Sequence, residues 1–166
     1  MISDRDNLIN NWKVMCAKAI GNGKFGEQIS SKDAPLILSA PETICSSTFI
    51  QIGNFSEIHN NETIKFGKNE ALNLIKYMQT KFFRCMLDIK KITQDINRAK
   101  FEYVPVQDFT KYSDIDWSKS LDEIDDQLFK KYQLSNDEIN FIKNNVQSQN
   151  NYYTTLPKNL DLNQNN

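Results

Sequence analysis

Few residues of this chain have side chains of the kind that reactive sites need. His59 is the only imidazole, and Cys16, Cys45 and Cys85 are too far apart to form a ligand motif. A structural zinc site requires four soft ligands at characteristic spacings, so the sequence predicts none. Three separated cysteines in apolar surroundings favour buried thiols in a reducing compartment over a disulfide framework. His59 lies in a polar stretch that predicts a solvated loop.

A glycine-rich run over residues 21–26 reads G-N-G-K-F-G and matches the G-x-G-x-x-G pattern of dinucleotide-binding sites. In such a site a helix begins inside the motif, so that its N-terminus meets the pyrophosphate. Here residues 27–35 have no helical periodicity and end in a proline. The run therefore predicts a flexible polar loop with Asn22 and Lys24 at its tip.

A dense group of acidic residues lies between positions 114 and 126. Paired carboxylates can hold a divalent metal that positions water for hydrolysis, and Asp114 and Asp116 are the candidates for a small hydrolase or nuclease. The acidic residues at 122–126 fall in the first turns of a predicted helix, where they complement the helix dipole. That structural role accounts for them without an active site.

The charge of the chain is uneven along its length, although its sum over 166 residues is only −1. Such a sum gives no global basic field of the kind that attracts nucleic acid. Residues 62–104 hold nine Lys and Arg against five Asp and Glu, a local charge of +4, whereas residues 107–143 hold five against nine, a local charge of −4. Either a surface built from the first segment attracts phosphate while the second faces away from it, or both segments are ordinary solvated helix faces.

The periodicity of the sequence predicts an α+β fold, with a small mixed β-sheet, two central helices and a C-terminal helical pair. Apolar and β-branched runs predict strands near residues 12–20, 36–38, 43–53 and 101–104. A short helix is predicted at 4–11, and two helical stripes begin at 69 and after Thr80, a potential N-cap. Two capping boxes, at Ser120 and Ser135, open further helices through about residues 132 and 146. We expect one domain over 1–147 and a disordered tail over 148–166.

Several side chains near predicted loops and helix ends have the chemistry to contact DNA. Asn and Gln can bond adenine at two positions, Arg can do the same for guanine, and Lys binds phosphate. The candidate DNA-binding residues are Lys18, Asn22, Lys24, Lys81, Arg84, Gln94, Asn97, Arg98 and Lys100.

Several stretches, taken in order, resemble a known family. They are residues 42–53, 77–84 continuing to 91–94, and 104–109, followed by Trp117 and residues 125–139. This order resembles the C-terminal target-recognition region of bacterial adenine-specific DNA methyltransferases from type II restriction–modification systems, including fused endonuclease–methylases. The resemblance spans about residues 12–147. It implies a module that reads double-stranded DNA for a catalytic domain, in cis or in trans, that flips and methylates adenine.

The chain lacks the catalytic Asn-Pro-Pro-aromatic tetrapeptide of such enzymes, and its glycine run is not in the cofactor-binding context. The expectation is therefore a recognition domain without catalysis of its own, with S-adenosylmethionine bound by the partner domain. The alternative is a protein-interaction subunit that docks through its acidic C-terminal helices, using Ile139, Phe141, Ile142 and Val146. The first residues lack a signal-peptide pattern and no apolar run reaches membrane-span length, which predicts a cytoplasmic protein with no membrane partner.

Overall fold

The protein is built on a four-stranded mixed sheet. A computed structural model of the chain describes residues 8–19, 21, 23–53, 56–59, 62–89, 96–150 and 152–156. The strands, in chain order, are β1 (Lys13–Ala17), β2 (Leu36–Ser39), β3 (Phe49–Gly53), β4 (Ser56–His59), β5 (Glu62–Lys65) and β6 (Tyr153–Leu156). The sheet has the order β3-β1-β2-β6, while β4 and β5 pair separately as an antiparallel hairpin. β1 runs antiparallel to β2 and β3, and β2 runs parallel to β6.

β1 is the most deeply buried strand because other elements cover both of its faces. Val14, Met15 and Cys16 are consecutive and all buried, although consecutive strand residues point to opposite faces of a sheet. Lys13 is buried too, and its Nζ donates to the carbonyl oxygens of Asn11 and Ala40 at 3.2 Å each. These bonds offset part of the cost of removing an ammonium group from water.

Two consecutive helices, α1 (Lys68–Gln79) and α2 (Lys81–Ile89), pack their apolar stripes into the core. α1 buries Ala71, Leu74, Ile75 and Met78, which is the spacing that places side chains on one helical face. The Oγ1 of Thr80 accepts a hydrogen bond from the N–H of Phe83 at 3.1 Å. The predicted N-cap of the second helix is therefore confirmed.

The C-terminal helical pair also follows the prediction. α3 (Leu121–Lys131) and α4 (Asn136–Asn145) begin directly after Ser120 and Ser135. In each capping box the serine Oγ accepts from the backbone N–H three residues on, at 3.3 Å, and the glutamate there accepts from the serine N–H. With the mixed sheet and the two central helices, this pair confirms the predicted α+β fold.

Two predicted strands are corrected. Residues 101–104 are not a strand, because Arg98–Tyr103 form a 3₁₀-helix and only Val104, which precedes a proline, is extended. The residue before a proline is disfavoured in helical conformation. This rule holds for Val104, but it does not extend to the three residues before it. Of the predicted 43–53 strand, only Phe49–Gly53 pairs with β1.

The stretch 148–166, predicted as a disordered tail, contains the last strand of the sheet. β6 lies inside the expected tail and pairs with β2 over four residues, with Tyr153 opposite Leu36. The side chain of Gln149 also accepts from the N–H of Ile29 at 3.0 Å. The ordered part of the chain thus continues through 156, and residues 157–166 lie outside the described residues.

The β4–β5 hairpin was not predicted, and it contains His59, which was assigned to a loop. Each strand holds one isoleucine among polar residues, and two residues, 60 and 61, separate the strands. A hairpin is indicated by alternating apolar and polar residues on both sides of a short turn, and these two strands lack that alternation. The helix predicted at 4–11 also fails in its described part, since residues 8–11 form turns.

Candidate functional site

A surface at the end of β1 brings together DNA-binding candidates that are far apart in the sequence. The N–H of Ile96 donates to the carbonyl oxygen of Lys18 at 2.7 Å, which joins the end of β1 to the residue preceding Asn97. The N–H of Lys100 in turn bonds the carbonyl of Asn97 at 3.0 Å. Lys18 and Asn97 are exposed and Lys100 is half-buried. We call Lys18, Asn97 and Lys100 the basic ridge.

Asn97 occupies the N-cap position of the 3₁₀-helix, but its side chain makes no capping hydrogen bond. Asparagine at such a position commonly uses its side-chain oxygen to bond the first turn. Here the residue is exposed to solvent, and its side chain does not cap the helix. An exposed amide next to two lysines has the donor and acceptor pair that base-edge contacts require.

Part of the predicted set cannot be placed. Asn22 and Gln94 lie outside the described residues, and Arg98 begins the 3₁₀-helix but its side chain is not described. The assignment of these three to a DNA surface stays a prediction.

The glycines of residues 21–26 allow backbone conformations that other residues rarely adopt, and no helix begins among the described residues of this run. Gly21, Gly23 and Gly26 all have positive φ angles, between 69° and 79°, a conformation that side-chain-bearing residues rarely adopt. A Cβ on Gly26 would also collide with the backbone of Asn145 and Val146. The spacing that imitates a dinucleotide motif is therefore explained by three left-handed turns and one close backbone approach.

The loop that carries Lys24 is anchored rather than freely mobile at its described residues. The N–H of Gly26 donates to Oδ2 of Asp88 at 2.7 Å, and the N–H of Gly23 donates to Glu27 at 3.0 Å. The ring of Phe25 lies 5.7 Å from that of Phe141 on α4. Lys24 is exposed, as predicted, but its loop rests on the C-terminal helices.

Arg84 has to be withdrawn from the DNA-binding candidates, because it is only 2% exposed. Its guanidinium donates to three backbone carbonyls: that of Thr80 at 3.2 Å, of Glu27 at 3.2 Å and of Gln147 at 2.6 Å. It thereby ties the glycine loop and the segment after α4 to α2. A guanidinium committed in this way cannot reach a phosphate.

Lys81 is also engaged inside the fold. It is half-buried, and its Nζ donates to the carbonyl of Lys143 in the last turn of α4 at 3.2 Å. A cation at this position compensates the negative end of the helix dipole. The hydrogen bond to Lys143 therefore competes with the predicted role of Lys81 in attracting phosphate.

A buried carboxylate accompanies Arg84. Asp125, on α3, accepts from the N–H groups of Lys81 and Phe82 at 2.9 and 2.8 Å, so it caps the N-terminus of α2 rather than serving its own helix. Burial raises its pKa to about 6, against these two hydrogen bonds and the nearby Arg84, which lower it. Burial likewise lowers the pKa of Arg84 to about 10. The sequence interpretation of Asp125 as a helix-dipole residue of α3 is thus incomplete.

Asp114 and Asp116, the hydrolase candidates, are both engaged with neighbouring side chains. Asp114 forms an ion pair with Lys131 at 2.7 Å. Asp116 accepts from the N–H and Oγ of Ser118 at 3.0 and 2.6 Å, and these bonds lower its pKa. Among the described residues, no group of three His, Cys, Asp or Glu side chains is placed to hold a metal ion.

The apolar residues proposed for protein docking are mostly part of the core. Ile142 and Val146 are each 3% exposed, and Ile139 packs partly against the core. Phe141 alone of the four is prominently exposed, at 52%. The docking stripe predicted from the sequence is therefore reduced to one aromatic residue and its neighbour Phe25.

The cysteines follow the expectation in part. Cys16 and Cys85 are buried and are not in disulfide bonds, whereas Cys45 is half-buried. Burial, with Asp88 nearby, raises the pKa of Cys85 to about 11, which makes it a poor nucleophile.

Comparison of the chain with protein-family models, with curated proteins and with solved structures finds no match. In the part of the chain that the structure describes, no helix has the length and apolar character needed to span a bilayer.

Proposed function

We propose that this chain is a sequence-specific DNA recognition domain of a restriction–modification adenine methyltransferase or methylase–endonuclease, non-catalytic on its own. The catalytic domain would act beside it, in cis or in trans, and would hold the S-adenosylmethionine. The observation that carries the proposal is the hydrogen bond between Ile96 and Lys18, because it joins candidates 79 positions apart in the sequence into the basic ridge.

The chemistry of the basic ridge supports contact with a duplex in two ways. Lysines give sequence-independent attraction to phosphate, which falls steeply with salt as counterions compete. The exposed amide of Asn97 offers the paired donor and acceptor that distinguish adenine in the major groove. Arg98, at the next position, has the complementary pattern for guanine.

Double substitution of Lys18 and Lys100 by alanine tests the assignment. Duplex binding is followed by fluorescence anisotropy over a range of salt concentrations. We expect the variant to bind about tenfold more weakly at low salt and the slope of log K against log salt to fall by about 2. The matched control is Lys119→Ala with Lys130→Ala, which removes the same charge from exposed positions on the acidic side.

If the two double variants lose affinity equally, the attraction comes from net charge and the basic ridge is not the binding surface. Wild-type binding that does not change with salt would also contradict the proposal. Asn97→Ala should reduce the preference between duplex sequences while leaving the salt slope unchanged.

A protein-interaction subunit is the second candidate, and one observation favours it. Phe25 and Phe141 are 39% and 52% exposed although their rings contact one another. Exposed aromatic pairs are typical of interface anchors. Under this alternative Phe141→Ala would abolish association with a protein partner, whereas the lysine variants would retain it.

A further inference from the structure

A polar cleft lies between α1, the loop 110–118 and Tyr153 of β6. Its volume is about 710 Å³, within the range of small-ligand sites. Its wall on α1 carries Asn69, Asn73 and Lys76, at positions that share one helical face. Asp116 and Tyr153 line it on the other sides.

The two asparagines offer hydrogen-bonding groups that the fold does not use. The Nδ2 of Asn73 donates to the carbonyl of Phe109 at 2.8 Å, which fixes the amide and leaves its Oδ1 as an oriented acceptor. Asn69 lies one turn earlier and is exposed, and its side chain has no hydrogen bond to any described residue. The cleft therefore presents amide donors and acceptors about one helical turn apart.

The charged groups of the cleft, in contrast, already have partners. Lys76 donates to the carbonyl of Trp117 at 2.5 Å, Asp114 pairs with Lys131 outside the cleft, and Asp116 is bonded to Ser118. Two lysines and two aspartates line the cleft, so their formal charges sum to zero. An ionic ligand would gain little from such a lining, whereas a neutral polar ligand needs no counter-charge and can replace its bonds to water with bonds to the amides.

The loop opposite α1 is held in shape by its own side chains. Asp108 accepts from the N–H of Thr110 at 2.7 Å, Thr110 from that of Tyr112 at 3.2 Å, and Ser113 from that of Ile115 at 3.1 Å. A wall that is already ordered costs less conformational entropy when a ligand binds.

We propose that the polar cleft binds a neutral polyhydroxylated molecule, a sugar. The amide of Asn69 would donate to and accept from sugar hydroxyl groups, and Oδ1 of Asn73 would accept from a neighbouring hydroxyl. The ring of Tyr153, which is 42% exposed, offers an aromatic face for the apolar C–H side of a sugar ring. This site is separate from the proposed DNA-binding function and does not depend on it.

The test is a titration of the ¹⁵N-labelled full chain with D-glucose, D-galactose and maltotriose, followed by amide chemical shifts. We expect saturable shifts at Asn69, Asn73 and residues 110–118 with at least one of these sugars. Asn69→Ala should weaken binding about tenfold, as expected for loss of a hydrogen bond whose partner is then left unpaired. Asn140→Ala, an exposed asparagine on α4, is the matched control and should leave binding unchanged.

Absence of saturable shifts with all three sugars overturns the proposal, and so does equal weakening by Asn69→Ala and Asn140→Ala. Inorganic phosphate serves as a charged probe, and shifts of the same amides by phosphate but not by sugar would show that the ligand class is wrong. Because Asn69 has no hydrogen-bond partner among the described residues, Asn69→Ala should fold normally, and a thermal unfolding curve verifies this.

Discussion

Arg84 and Lys18 are both cations that the sequence offered for phosphate binding, yet they lie in opposite environments. Arg84 is buried in the helical half of the molecule and bonded to three backbone carbonyls, whereas Lys18 is exposed at the end of the sheet. The carbonyls that Arg84 satisfies belong to segments up to 63 residues away. The difference shows that a cation is available to a ligand only when the fold has left its donors unused.

Arg84→Met should give the largest effect, because it removes the guanidinium but keeps much of the side-chain volume. The variant removes the cation nearest to the buried Asp125 and leaves three carbonyls without the donor that Arg84 supplies. We expect a loss of about 3–5 kcal/mol in the free energy of unfolding, because several buried carbonyls lose a charged donor at once. Urea denaturation followed by circular dichroism measures it.

Lys18→Met is the control for that substitution, since it removes the same charge from an exposed position. Its unfolding free energy should stay within about 0.5 kcal/mol of the wild type. Similar losses of unfolding free energy in the two variants would mean that Arg84 stabilises the fold no more than the exposed Lys18 does.

The second prediction concerns the pH dependence that Asp125 contributes. Its pKa in the folded protein, about 6, is above its ordinary value of 3.8. The folded state therefore binds the proton more tightly, and the stability that this group contributes is present at low pH and lost as the pH rises through about 6. The loss amounts to up to about 3 kcal/mol.

Asp125→Asn isolates this contribution because it cannot ionise. The unfolding free energy of the wild type minus that of the variant should fall as the pH is raised from about 4 to 7. A rise of this quantity over the same range would mean that the pKa of Asp125 is lowered instead. Asp116→Asn serves as an exposed comparison, because hydrogen bonds lower the pKa of Asp116 below its ordinary value of 3.8, so its contribution is lost only at more acidic pH and the difference should stay nearly constant from about pH 4 to 7.

A smaller effect is expected at the glycine loop that Arg84 holds. Gly23 and Gly26 share a positive φ, but only at Gly26 would a Cβ meet the backbone after α4. Gly23→Ala should cost about 1 kcal/mol for the left-handed conformation, and Gly26→Ala should cost more. Thermal unfolding of both variants measures the difference, and equal costs would mean that the close approach to Val146 can relax.

Local signals in the sequence were sufficient for the parts of the fold that depend on local chemistry. The capping boxes at Ser120 and Ser135 and the N-cap at Thr80 were readable because each needs only residues three positions apart. β6 was missed because a short polar strand is defined by its pairing with β2, more than a hundred residues earlier.

The candidate site was harder to predict than the fold for the same reason. Residue type identified Lys18, Asn97 and Lys100, but nothing in the sequence indicated that Ile96 bonds Lys18 and brings them together. Nor could it show that Arg84 is buried, since its position on an amphipathic helix is compatible with either environment. Asp114 and Asp116 stand out in the sequence only as acidic residues. Their position in one cleft with Asn69 and Asn73 depends on tertiary structure, which the sequence pattern does not reveal.

The most direct test of the account is a map of the DNA contact surface on the wild-type chain. Amide chemical shifts of the ¹⁵N-labelled protein are followed as a mixed-sequence duplex is added at low salt. The account predicts the largest shifts at Lys18, Asn97 and Lys100, reversed by added salt, with small shifts at Arg84. Shifts centred instead on Phe25 and Phe141, or no shifts at any residue, would contradict it.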